Sequence, residues 1–186
     1  VVIHPYRGQP EGVEREVGEL QELIRKYNDG KDKPVWVTET GKQSKDEYDW
    51  EKGRKMYEMG RAEVAQYLPR QYSLLLTKNV AKIFWYLVRD HQNFVSMGLL
   101  RNENEPSGMG RYAVAPAYVT YATLIRQLDG KEFVGRECWS EYTRAYVQHF
   151  RDGKESVRVC WATQSAKMEF AADGSLTVTD LVGGET

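Results

Sequence analysis

A chain of 186 residues, 41% hydrophobic and carrying five Trp, can bury a sizeable core and form one large domain or one and a fraction. Lys plus Arg (26) nearly balances Asp plus Glu (27), so the basic footprint of a non-specific nucleic-acid binder is missing. No run reaches the ~18 apolar residues of a membrane span, and neither the two Cys nor the three His are spaced as metal ligands or as CxxC, so no metal, cofactor, nucleic-acid or membrane partner is expected.

The chain opens without Met on the strand-like "VVIHPYR" (Val1 to Arg7), which reads as the middle of a longer protein, so a missing leader carries no information on secretion. Val13, Val17, Leu20, Ile24 and Tyr27 then recur at helical spacing. Glu11, Glu14 and Glu16 crowd the first turn, Arg25 and Lys26 the last, and "NDG" at 28–30 is a stop signal. "PVWVTET" (Pro34 to Thr40) is a strand whose β-branched and aromatic residues occupy both faces, the pattern of a parallel sheet covered on both sides. Residues 41–60 are too long for an ordinary α/β connection and are expected to be partly helical.

From Arg61 to Lys78 the pattern is helical again, with Pro69 expected to kink or divide it. "VAKIFWYLVRD" (Val80 to Asp90) predicts a third strand, residues 91–115 a second long loop, and "PAYVTYATLIRQLDG" (Pro116 to Gly130) a helix with Pro in its first turn and Gly past its end. Strand, helix, strand, helix, strand, helix argues for a parallel sheet with right-handed crossovers. After about residue 140 a hairpin turning at Arg151 to Lys154 and a further strand in "GSLTVTDLVGG" predict a small antiparallel β module. Cys138 and Cys160 are expected to be structural thiols, and the sequence leaves a disulfide between them open.

In parallel α/β folds ligands bind at the carboxyl ends of the strands. The first strand delivers His4, Tyr6 and Arg7 there, the second Glu39, and the third Trp85, Arg89 and Asp90. An acid, an imidazole, a phenol and an indole on one rim suit a ring of hydroxyls whose C–H face can lie on an aromatic surface, which points to sugar.

"VVIHPYR", "KPVWVTETG", "IFWYLVRD" and "PAYVTYATLIRQLDG" resemble the sixth, seventh and eighth strands and final helix of the clan of retaining glycoside hydrolases built on (β/α)8 barrels. The resemblance spans about residues 1–130. It implies an α/β fold: a partial (β/α)8 TIM barrel made of the last three βα units at 1–135, followed by a small antiparallel β-sandwich module at 136–186. In that clan the seventh strand ends in the nucleophilic Glu, which Glu39 matches. His4 and Tyr6 match a His-x-Tyr pair beside it, expected to bind substrate and to hydrogen-bond the carboxylate. Trp85 matches an aromatic floor under the sugar, with Tyr86 its neighbour and strand direction deciding between them.

A retaining enzyme needs two carboxyl groups about 5–5.5 Å apart. The acid/base Glu of the clan follows an Asn on the fourth strand, and this chain is expected to begin at the sixth. The Asn-Glu pairs of "RNENEP" (Arg101 to Pro106) read as a polar turn. The expectation is a fragment of a retaining glycoside hydrolase acting on a β-linked glycan or glycoside, inactive alone. The alternative is a non-catalytic carbohydrate-binding or interaction protein on the same scaffold.

Plainer readings stand beside these. Glu39 would pair with Lys42 or Arg7, His4, Tyr6 and Trp85 would be packing residues, and Arg7, Arg89 and Asp90 would form rim ion pairs. Arg70 would serve structure, and Tyr48, Trp50 and Tyr57 would either stack on distal sugars or anchor a loop.

Overall fold

The computed structural model describes residues 1–44, 60–91, 97–101, 112–140, 145–171 and 174–186, with side chains at all of these except 138–140. The elements are β1 (Val2–Ile3), α1 (Val13–Lys26), β2 (Trp36–Thr40), α2 (Arg61–Leu76), β3 (Lys82–Trp85), α3 (Pro116–Leu128), β4 (Glu132–Ser140), β5 (Ala145–Arg151) and β6 (Ser156–Ala162). The chain divides into two compact units, Val1–Ala122 and Thr123–Thr186.

In the first unit β1, β2 and β3 form a parallel sheet in that order. β1 is shorter than its apolar run because Pro5 has no N–H to give to a ladder. β3 stops at Trp85, far short of Asp90, because its partner β2 ends at Thr40 and offers nothing further to pair with. The peptide between Tyr86 and Leu87 is cis.

α1 forms where its periodicity placed it, burying Val13, Val17 and Ile24. It stops where Asp29 and Gly30 turn left-handed (φ 51 and 75) and Gly30 N donates to Arg25 O at 2.9 Å. α2 runs through Pro69 as one helix rather than being divided, with Tyr67, Leu68, Leu74 and Leu75 fully buried about it. Each such side chain contributes about 1.5–3 kcal/mol of burial, which outweighs the single helix bond that proline removes.

Coverage of the sheet is one-sided among the described residues. Val35 and Val37 are fully buried, whereas Val2, Trp36 and Phe84 on the opposite face are 58%, 42% and 49% exposed. The expectation of a sheet covered on both faces is corrected here: apolar content on both sides of β2 did not mean burial on both sides.

The second unit holds one antiparallel sheet, order β4-β5-β6. β5 is central and buries Ala145, Val147, Gln148 and Phe150. Its hairpin to β6 turns at 152–155, where Gly153 has φ 94 and Asp152 Oδ1 accepts from Lys154 N and Glu155 N, each at 2.9 Å. The strand β4 escaped the sequence reading because two register shifts and Gly135 interrupt its alternation. "GSLTVTDLVGG" yields only an isolated bridge, Thr179 to Glu185, instead of a strand. Val147 lies opposite both Cys138 and Cys160, which separates the two by two strand spacings, about 9.5 Å, too far for a disulfide. The side chain of Cys160 is exposed.

The expected fold class, a partial (β/α)8 barrel plus β-sandwich, is therefore overturned. The described chain has three helices, one parallel and one antiparallel three-stranded sheet, and no barrel closure. Closure needs every strand paired on both sides, and β1 and β3 are both edges. A sandwich needs two facing sheets, and the second unit has one among the described residues.

Candidate active site

Where β1 ends, the chain continues as His4-Pro5-Tyr6-Arg7, with Tyr6 N donating to His4 O at 3.0 Å. The imidazole of His4 then meets two consecutive residues of β2. Its Nε2 lies 2.8 Å from Thr38 Oγ1, and its Nδ1 3.6 Å from Glu39 Oε2, an ion-pair rather than hydrogen-bond distance.

Consecutive side chains of a regular strand point to opposite faces, so one ring should not reach both. The ladder explains how it does. Val37 pairs with Ile83 and Thr40 with Trp85, so Thr38 and Glu39 together face the single residue Phe84. This is a β-bulge, which adds one residue to one strand and re-aims its side chains. It brings Glu39 to the rim beside Thr38 instead of leaving it under the helices.

Tyr6 completes the cluster. Its hydroxyl donates to Glu39 Oε2 at 3.0 Å. Partial burial, the hydrogen bond to Glu39, the Glu39 charge and the neighbouring Tyr86 phenol, in that order, push the Tyr6 phenol well above its ordinary 10.0. Tyr6 therefore stays a donor at any working pH. Both contacts fall on Oε2, and Oε1 takes part in neither. Glu39 and His4 keep 37% and 45% of their side-chain surface exposed, so their pairing adds about 0–1 kcal/mol at most to stability.

Trp85, expected as the aromatic floor, sits elsewhere. It is 7% exposed, its indole donates to Met97 O at 3.1 Å, and its ring lies 6.5 Å from both Tyr67 and Tyr72 of α2. It shares the helix-covered face with its ladder partner Thr40, which is fully buried. Tyr86, one residue on, is held to β2 by its N–H, which donates to Thr40 O at 2.7 Å, and it stands near Tyr6. Gly41 permits this approach, since a Cβ there would lie 2.3 Å from Tyr86 O.

Gln71 of α2 braces the cluster from behind. It is fully buried, and its Nε2 donates to Thr40 Oγ1 at 3.1 Å and to Pro5 O at 3.3 Å, tying together the ends of the two strands that carry His4, Tyr6 and Glu39. The remaining candidates are structural ties. Arg7 bonds Glu16 and the carbonyls of Gln9 and Glu11, and Arg70 bonds Glu11 at 2.5 Å. Asp90 forms a buried pair with Arg101 at 3.4 Å and accepts from Gly98 N at 2.6 Å. Arg89 reaches the Tyr112 hydroxyl at 3.4 Å. Tyr48, Trp50, Tyr57 and the Asn-Glu pairs of 102–105 lie outside the described residues.

A carboxylate bonded by a protonated phenol and faced by an imidazole, on an exposed rim at the carboxyl ends of parallel strands, is equipped to act on a sugar. The family comparison gives that chemistry a name: the model of the glycosyl hydrolase catalytic core matches residues 1–113. The chain belongs to this family. The matched span contains His4, Tyr6, Thr38, Glu39, Gln71 and Tyr86, so all the residues of the cluster fall within the catalytic core of a glycoside hydrolase. No curated protein matches the chain.

Sequence reasoning missed Thr38 and Gln71, and held Tyr86 only as the alternative to Trp85. Only Gln71 left a signal, a polar residue among the apolar positions of α2. The meeting of His4 with both Thr38 and Glu39 depends on the bulge, which no periodicity announces.

Proposed function

We propose that this glycoside hydrolase domain works by double displacement, with Glu39 as nucleophile toward the anomeric carbon of a β-linked glycan or glycoside. The observation that supports this most is the bulge, which brings Glu39 to the rim beside His4 and Tyr6. A carboxylate fixed by strand ends and by a phenol donor meets the positional demand of in-line attack. His4 and Tyr6 bind substrate and hold the nucleophile. Tyr86, rather than the buried Trp85, offers the aromatic surface to the sugar, and Trp85 supports it from the core. We assign the acid/base to none of the described residues, and the chain alone is then inactive on glycosides with poor leaving groups.

The test follows from that assignment. Dinitrophenyl 2-deoxy-2-fluoro glycosides need no general acid, because dinitrophenolate leaves unprotonated as the Glu39 oxygen bonds to C1. Peptide mass spectrometry is expected to find the fluoroglycosyl group on the peptide holding Glu39 and to lose it in Glu39→Gln. A folded chain that takes no label from a broad sugar panel would refute the nucleophile and leave a carbohydrate-binding scaffold.

A further inference from the structure

The second unit contains a constellation that the glycosidase chemistry does not use. Ser156 opens β6, His149 lies on β5, and Glu137 lies on β4. The Ser156 hydroxyl is 2.5 Å from His149 Nε2, and the other ring nitrogen, Nδ1, is 2.9 Å from Glu137 Oε1. The second oxygen of Glu137 accepts from Arg158 Nε. Nucleophile, base and orienting acid are thus joined in series through the two nitrogens of one imidazole.

The strands explain why the three meet. Ser156 pairs with Arg151, and His149 with Arg158, so Ser156 and His149 are diagonal neighbours on one face of the β5–β6 ladder. Glu137 is the extra residue of a register shift in β4, between Arg136 opposite Gln148 and Cys138 opposite Val147. Ser156 is exposed, while the His149 and Glu137 side chains keep 21% and 31% of their surface. β6 is an edge strand, and alternate N–H groups of an edge strand point away from the ladder, where they can donate to an oxyanion.

We propose that Ser156, His149 and Glu137 form a second, independent catalytic site, a Ser-His-Glu triad acting on small carboxylic esters. His149 Nε2 takes the hydroxyl proton as Ser156 Oγ bonds to the acyl carbon. The ester C–O bond then breaks, and the alcohol leaves with that proton. Water, deprotonated in turn by His149, attacks the acyl-serine, releasing the carboxylic acid and restoring the hydroxyl. Glu137 fixes the imidazole so that Nε2 faces the hydroxyl. The open sheet surface suits short acyl groups such as acetyl.

The experiment treats the full chain with a fluorophosphonate, which phosphonylates only activated serines, and follows p-nitrophenyl acetate hydrolysis in parallel. Expected are adduct mass on the peptide holding Ser156, at least a tenfold loss of labelling rate in His149→Ala, and a smaller loss in Glu137→Gln. In Ser156→Ala, whose exposed position leaves folding intact by circular dichroism, labelling and the enzymatic part of ester hydrolysis vanish. No adduct on a folded chain, an adduct on another residue, or labelling unchanged in His149→Ala would overturn the triad and leave the cluster as a cross-strand network. Glu39→Gln should label at Ser156 as fast as the parent chain, so this result is independent of the glycosidase site.

Discussion

One imidazole touching Thr38 and Glu39 at once is a contact that a regular strand forbids, and the residues around it are where single substitutions should speak most clearly. Tyr6→Phe removes a hydrogen bond to a charged acceptor, worth about 1.5–3 kcal/mol, and is predicted to slow fluoroglycosyl transfer to Glu39 by about 10- to 150-fold while leaving the fold intact. Trp85→Phe and Tyr86→Ala separate scaffold from sugar contact. We predict that Trp85→Phe lowers the denaturation midpoint, through lost packing and the lost bond to Met97 O, whereas Tyr86→Ala mainly weakens sugar binding measured by calorimetry. The meeting of His4, Tyr6 and Glu39 was legible in the sequence because a carboxylate at a strand end and a His-x-Tyr pair are local patterns. The burial of Trp85 was not legible, because an almost continuous apolar run does not announce which of its alternate side chains the helices cover.

At the scale of elements, α2 sets how the strand ends meet. Gln71→Leu keeps the volume of a fully buried side chain but cuts the ties to Pro5 and Thr40 together, and should reduce the rate of Glu39 labelling by about tenfold or more with a smaller change in stability. Gly41→Ala should do both kinds of harm, since its Cβ would stand 2.3 Å from a backbone oxygen that cannot swing aside. Crystallography of that variant is expected to show Tyr86 displaced. The helices were readable because α1 and α3 carry their own start and stop signals. Strands β1 to β3 were placed but their ends were not, because strand length is set by the partner: β3 ends where β2 ends, and β1 stops at Ile3, short of a proline that looked like part of an apolar run. β4 was invisible for a related reason, its register shifts erasing the alternation on which a strand is recognised.

For the molecule as a whole, the buried tyrosines tie stability to alkaline pH. Burial raises the Tyr67 phenol from 10.0 to about 12 and moves Tyr72 up further still, by burial and then the Tyr121 hydroxyl. The folded chain keeps these protons while the unfolded chain releases them above pH 10. Their contribution is therefore fully present below pH 10 and is lost as pH rises toward 12. Urea midpoints should fall steadily between pH 10 and 12, and Tyr67→Phe should flatten that decline. The overall architecture was the least legible feature. An alternation of strands and helices indicates a parallel sheet, which was found, but not whether the sheet closes, because closure depends on pairing at the edges rather than on any segment's own residues.

The extra residue in β2 also makes the segment from Val37 to Thr40 sensitive to length in a way that it is not to composition. In a library of variants, exchanges among β-branched side chains at Val37 should survive, since the core there asks only for volume. Removing any one residue would restore an even ladder and leave the rim with one chemical group where it now has two. A screen for fluoroglycosyl labelling at Glu39 is thus expected to reject single-codon deletions in this stretch even where the surviving protein folds as well as its parent.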